Sequence, residues 1–134
     1  MHPDYKRADE WSKKCIGAAI EVHRAMGPGL LESICEHCLF REFELQDIPC
    51  QRQRSIPLDY KGASIPQPFK CDLLVDACLM VELKAVETIL PIHKAQVLSY
   101  MKLAAVPLGL LINFNEARLV DGIHRLILRG ADQA

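Results

Sequence analysis

Asp72, Glu82 and Lys84 stand in an otherwise apolar stretch, residues 71–84. The stretch reads as two short strands around a loop, Asp76-Ala77-Cys78, flanked by Val75 and Leu79. Folding the ladder about Ala77 sets Asp72 opposite Glu82, and opposed residues share a face of the sheet. Lys84 follows Glu82 by two positions, so strand periodicity puts it on that face as well. Like charges facing each other across a ladder destabilise it. The two carboxylates therefore ask for a cation. A hard divalent ion, held by one or two carboxylates and by a phosphate of the substrate, meets that demand. The plain alternative is an exposed face with a cross-strand salt bridge, worth about 0–1 kcal/mol. Against it, the neighbouring strand residues are nearly all aliphatic, where an unpaired carboxylate is costly.

The elements that must carry these groups follow from periodicity. Ile16, Ala19 and Ile20, with Val22 or His23, give a helix over 9–25, ended by Met26-Gly27-Pro28-Gly29. Leu31, Ile34, Cys35, Cys38, Leu39 and Phe43 give a second helix over 30–45, closed by Asp47-Ile48-Pro49. Residues 51–60 alternate, with Arg52, Arg54, Ile56 and Leu58 on one side and Gln51, Gln53 and Ser55 on the other. That predicts a strand ending in the turn Asp59-Tyr60-Lys61-Gly62. Pro66 and Pro68 predict an edge or irregular entry to the next strand at 65–69. Leu90-Pro91 opens a third helix to about 105, with Pro91 in the first turn, where its missing N–H matters little. Residues 107–114 are continuously apolar, as in a strand covered on both faces. Residues 119–128 form a last strand or hairpin around Asp121-Gly122, and the tail from Gly130 is expected to fray. The order is α-α-β-β-β-α-β-β, a mixed α/β class with a central mixed sheet flanked by helices. Glu32, early in the second helix, and Gln96, one turn before Tyr100 on the third, are polar groups that can face the same spot as the hairpin acids.

Composition bounds the partners. The chain of 134 residues suffices for one domain, read as 1–134 with its core at about 12–128. A net charge of −1 excludes a wholesale basic nucleic-acid binder, so any such contact must come from a local patch. The polar N-terminus has no apolar signal core, and no run reaches the length of a membrane span, so the expected location is the cytoplasm, with no membrane partner. Six cysteines, at 15, 35, 38, 50, 71 and 78, are expected as free thiols. Cys35 and Cys38 have CxxC spacing, but no second CxxC follows, and buried thiols are the simpler reading than zinc or an iron–sulfur cluster. Arg52 and Arg54 share a strand face and could grip phosphates, although charged positions on a solvated strand explain them as well. His93 reads equally as a site residue or a helix-start histidine, His23 as a core histidine, and Trp11 as an anchor for the first helix.

The segments Ile16-Gly17-Ala18-Ala19-Ile20-Glu21-Val22-His23-Arg24, Gly27-Pro28-Gly29-Leu30-Leu31-Glu32-Ser33, Val81-Glu82-Leu83-Lys84-Ala85-Val86, His93-Lys94-Ala95-Gln96-Val97-Leu98-Ser99-Tyr100 and Gly109-Leu110-Leu111-Ile112-Asn113-Phe114 together resemble the GxxExxY proteins. That family is placed in the PD-(D/E)xK nuclease-like superfamily. The resemblance covers roughly residues 12–128. It implies a restriction-endonuclease-like core and a divalent-metal phosphodiesterase site. On that resemblance Asp72 and Glu82 match the metal-holding acids, and the Leu83 carbonyl would join them. Lys84 matches the motif lysine, Glu32 the helix glutamate and Gln96 the glutamine of the following helix. Cys35 departs from the pattern, standing where the family name calls for tyrosine.

The implied activity is hydrolysis of phosphodiesters in DNA, with RNA as the other candidate, using Mg²⁺ or Mn²⁺. The metal would acidify a water and neutralise charge in the transition state. Lys84 would act chiefly through its charge. Glu32 would complete the metal shell directly or through water, and Gln96 would donate to phosphate or hold the attacking water. The rival reading is a nuclease-fold module with a weak or idle site that binds nucleic acid or a partner protein. A homodimer is compatible with either.

Overall fold

The computed structural model describes residues 1–66 and 69–134. Helix α1 spans Tyr5–Met26 and α2 spans Glu32–Leu45. The strands are β1 (Cys50–Ile56), β2 (Asp59–Tyr60), β3 (Ala63–Ser64), β4 (Phe69–Val75), β5 (Leu79–Lys84), β6 (Leu108–Asn113) and β7 (Ile123–Ile127). Helix α3 (Pro91–Ala104) links β5 to β6, and a 3-10 turn (Leu119–Gly122) precedes β7. Five strands form one sheet in the order β1-β4-β5-β6-β7. Among the described residues only β5 and β6 run parallel, which is why a helical crossover joins them, and the other neighbours in that sheet are antiparallel.

Small residues let α1 lie close to the sheet: Ala8, Ser12, Cys15, Ala18, Ala19 and Val22 form its buried face. They pack with Cys35, Leu39 and Phe43 of α2 and with Leu73, Val75, Leu79, Val81, Leu83, Leu108, Leu110 and Ile112 of the sheet. The other face of the sheet packs Cys71, Leu74, Met80 and Leu111 against Val97 and Met101 of α3. The central strands are thus covered on both faces, and β6 is buried throughout. Gly109 permits the close approach of α3, since a Cβ there would lie 2.7 Å from the Met101 sulfur. No helix among the described residues is long and apolar enough to cross a membrane.

Several sequence expectations shift. Helix α1 starts earlier, at Tyr5, and its Trp11 indole N–H donates to Asp76 Oδ2 at 2.9 Å, tying the helix to the hairpin tip. The buried stripe of α2 is Cys35, Glu36, Leu39 and Phe43, whereas Leu31 and Ile34 are exposed. A glutamate can occupy the buried edge because β1 brings it two partners. The first strand stops at Ile56, ahead of Pro57, and the expected turn becomes a separate small hairpin, β2 with β3, around Lys61 and Gly62. Pro68 lies outside the described residues. The tail is docked: the His2 N–H donates to the Ala131 carbonyl at 2.9 Å, and Ala131 is buried. All six cysteines are free thiols.

Candidate active site

The hairpin of β4 and β5 pairs Val75 with Leu79, Leu74 with Met80 and Leu73 with Val81. Asp76 and Ala77 take positive φ (48° and 56°) to make the tight reversal. Continued by one step, the register sets Asp72 against Glu82. There side chains take over from the backbone ladder. The Leu83 N–H donates to Asp72 Oδ2 at 2.9 Å, and the Asp72 N–H donates to Glu82 Oε1 at 3.3 Å. Each carboxylate is therefore held by the backbone of the opposing strand, and both are fixed at the point where the strands part.

Glu82 is 7 % exposed. Burial, with the adjacent Asp72 charge adding to it, pushes its carboxyl up to about 10, while Lys84 pulls the other way. Asp72, Glu82 and Lys84 open into a cavity of about 160 Å³ whose other walls are Glu32, Lys70, His93, Gln96, Val97 and Tyr100. Glu32 stands in the first turn of α2 with its carboxylate turned into this cavity. Partial burial raises its pKa, opposed by Lys84 and by a bond from the Ala85 backbone. Tyr100 is raised too, by burial and by the charges of Glu82 and Asp72. His93 is fixed at the start of α3, where its Nδ1 accepts the Leu90 N–H at 2.9 Å, which leaves Nε2 free. Asn113 braces the chain just past Lys84. Its buried amide accepts from the N–H groups of Val86 (3.1 Å) and Asn115 (3.2 Å) and donates to the Val86 carbonyl at 2.8 Å.

Asp72, Glu82, Lys84, Glu32 and Gln96, named from sequence, thus share one cavity. Leu83 does not line the cavity: its backbone N–H holds Asp72 Oδ2, and its side chain lies in the core between the sheet and α1. Arg52 and Arg54 do not line it. Arg52 is committed to Glu36, with Nη1 at 2.8 Å from Oε2, and Arg54 is exposed on the edge strand. Lys70, His93 and Tyr100 add to the cavity what the sequence reading left unassigned. Lys70 stands two positions before Asp72 on β4, so strand period is a signal that finds it, and Tyr100 follows Gln96 by one helical turn.

The donor set fits a hard divalent cation. It consists of carboxylate oxygens, and one of them is disfavoured as a bare anion by its burial. Among the described residues no group of three or more His, Cys, Asp or Glu side chains is placed to hold a metal ion by itself.

A mixed five-stranded sheet flanked by helices, with paired acids and a lysine where its inner strands part, is a restriction-endonuclease-like architecture. A family model described as the PD-(D/E)XK nuclease superfamily matches residues 9–126, and the chain belongs to that superfamily. No curated protein and no solved structure matches the chain significantly.

Proposed function

We propose that this chain is a Mg²⁺- or Mn²⁺-dependent nuclease of the GxxExxY group that hydrolyses phosphodiester bonds in DNA or RNA. The observation that carries the reading is the crossed pair Asp72 and Glu82, one of them buried, with Lys84 beside them in a polar cavity. Asp72 and Glu82, with the Leu83 carbonyl, would hold the cation. A cation so held supplies Lewis-acid polarisation of the scissile phosphate and a more acidic water.

The chain's own groups do the rest. Lys84 sets a positive charge beside the acids, where it orients the nucleophile and offsets charge that develops on the phosphoryl oxygens. Gln96, projecting from α3 into the same cavity, donates to a phosphate oxygen or holds the attacking water. Glu32 completes the anionic wall and accepts from waters around the ion. Lys70 extends the cationic rim toward the substrate, and the His93 ring lies on the same wall. Six free thiols suit a reducing, cytoplasmic setting.

The test is a Mn²⁺ and Mg²⁺ titration of wild type and Asp72→Ala/Glu82→Ala, beside cleavage assays on single- and double-stranded DNA and RNA. Metal binding and cleavage in wild type, with both lost in the double variant, are expected. Unchanged metal affinity in the double variant would sink the site.

A further inference from the structure

One group of side chains next to the cavity has no part in that chemistry. Glu36 of α2 is 6 % exposed, and both of its oxygens are engaged. Arg52 Nη1 donates to Oε2 at 2.8 Å, and Gln53 Nε2 donates to Oε1 at 2.7 Å. Arg52 and Gln53 are consecutive on an edge strand, where alternation sends neighbours to opposite faces. They meet on one carboxylate because Gln53 has φ of 54°. The strand keeps its register on both sides of this residue, with Arg52 paired to Leu73 and Arg54 to Cys71. The left-handed residue is thus a local device within an otherwise regular ladder, held at the position facing Asp72.

The same Gln53 Nε2 lies 3.4 Å from Asp72 Oδ1. Asp72 Oδ2 is already occupied by the Leu83 N–H. Resting on the metal-site reading above, we propose that Glu36, Arg52 and Gln53 are positioning residues that aim the Asp72 carboxylate at the cation. Glu36 locks the Gln53 amide, and the amide restrains the second oxygen of Asp72 while leaving it lone-pair capacity for an ion. Arg52 neutralises Glu36, which would otherwise stand as a further uncompensated anion beside Asp72. Arg52 thereby acts through Asp72 and not by gripping phosphate. Groups that orient metal-binding carboxylates in this way commonly tune metal affinity by about tenfold to a hundredfold.

Gln53→Gly provides the test. Glycine accepts φ of 54° without strain, so the variant removes the amide and keeps the backbone. Calorimetry should show Mn²⁺ affinity about tenfold or more below wild type, measured at a temperature where the metal-free variant still melts cooperatively and is fully folded. Gln53→Asn, which tolerates the same backbone but whose shorter amide cannot span Glu36 and Asp72, should give the same loss, and it guards against loosening of the edge strand by glycine. Equal Mn²⁺ affinity in wild type and both variants overturns the positioning role and leaves the metal site standing. Absence of Mn²⁺ binding in wild type overturns the metal site and this role with it.

Discussion

Glu82, 7 % exposed and set against Asp72, holds its carboxyl proton in the metal-free protein up to about pH 10. In the unfolded chain the same group ionises near its ordinary value of 4.5. The native state therefore binds the proton more tightly. The stability this contributes is complete below the unfolded value and is lost as pH rises through the folded one. One proton changes stability by about 1.4 kcal/mol per pH unit at most. Metal-free wild type should accordingly melt at progressively lower temperature between about pH 6 and pH 9, with about 4 °C for each kcal/mol lost. Glu82→Gln should flatten that slope and melt above wild type at the alkaline end. Adding Mn²⁺ should raise the wild-type curve most at high pH, where the carboxylate is freed for the ion, and should leave the variant nearly unmoved. Parallel melting curves for the two proteins across this range would show that Glu82 is not held protonated by its surroundings.

At the scale of elements, the segment joining β5 to α3 decides whether the residues of both reach one cavity. Asn113, at the end of β6 and fully buried, pairs in register with Lys84 and holds both backbone groups of Val86. The Phe114 N–H donates to the Lys84 carbonyl at 2.9 Å beside it. Asn113→Ala strips partners from the part-buried backbone groups of Val86 and Asn115 and removes a buried amide, so it should destabilise the fold by about 1–3 kcal/mol. Cleavage should fall by more than that loss of folded protein explains, because Lys84 and the start of α3 are no longer tied together. Thermal denaturation together with kcat at a temperature where the variant is fully folded checks both, and a normal kcat there would confine Asn113 to stability. The hairpin on which all this hangs is legible in the sequence, since a three-residue loop between apolar strands pins Leu73 to Val81 and so brings Asp72 to Glu82. The crossover is legible too, from Leu90-Pro91 and the apolar run that becomes β6. Glu36 and Gln53 are not. Helical spacing yields a stripe but not its centre, and Ile34 is the more apolar choice over Glu36 until Arg52 arrives from another element. Nothing local in the alternation around Gln53 announces a positive φ, which answers to tertiary partners alone.

Across the whole molecule, charge limits how nucleic acid can be held. The net charge is −1, and Arg52 of β1 is spent on Glu36. Lys70 and Lys84 are the lysines that line the cavity, opposite Glu32, Asp72 and Glu82. With Glu82 protonated in the metal-free protein, Glu32 and Asp72 balance the two lysines, so an approaching phosphate meets no net positive charge until a divalent ion is bound. Binding of a short duplex should consequently require Mg²⁺, or Ca²⁺ where cleavage must be suppressed, and should fall away in a chelator. Each neutralised phosphate contributes about −0.9 to the slope of log K against log salt, so two lysines predict a slope near −2. Fluorescence anisotropy across a salt series at fixed Ca²⁺ measures it. Lys70→Ala should make the slope shallower by about one and weaken binding similarly for all sequences. A wild-type slope several-fold steeper, unaffected by Lys70→Ala, would mean that nucleic acid is gripped by a surface other than this cavity.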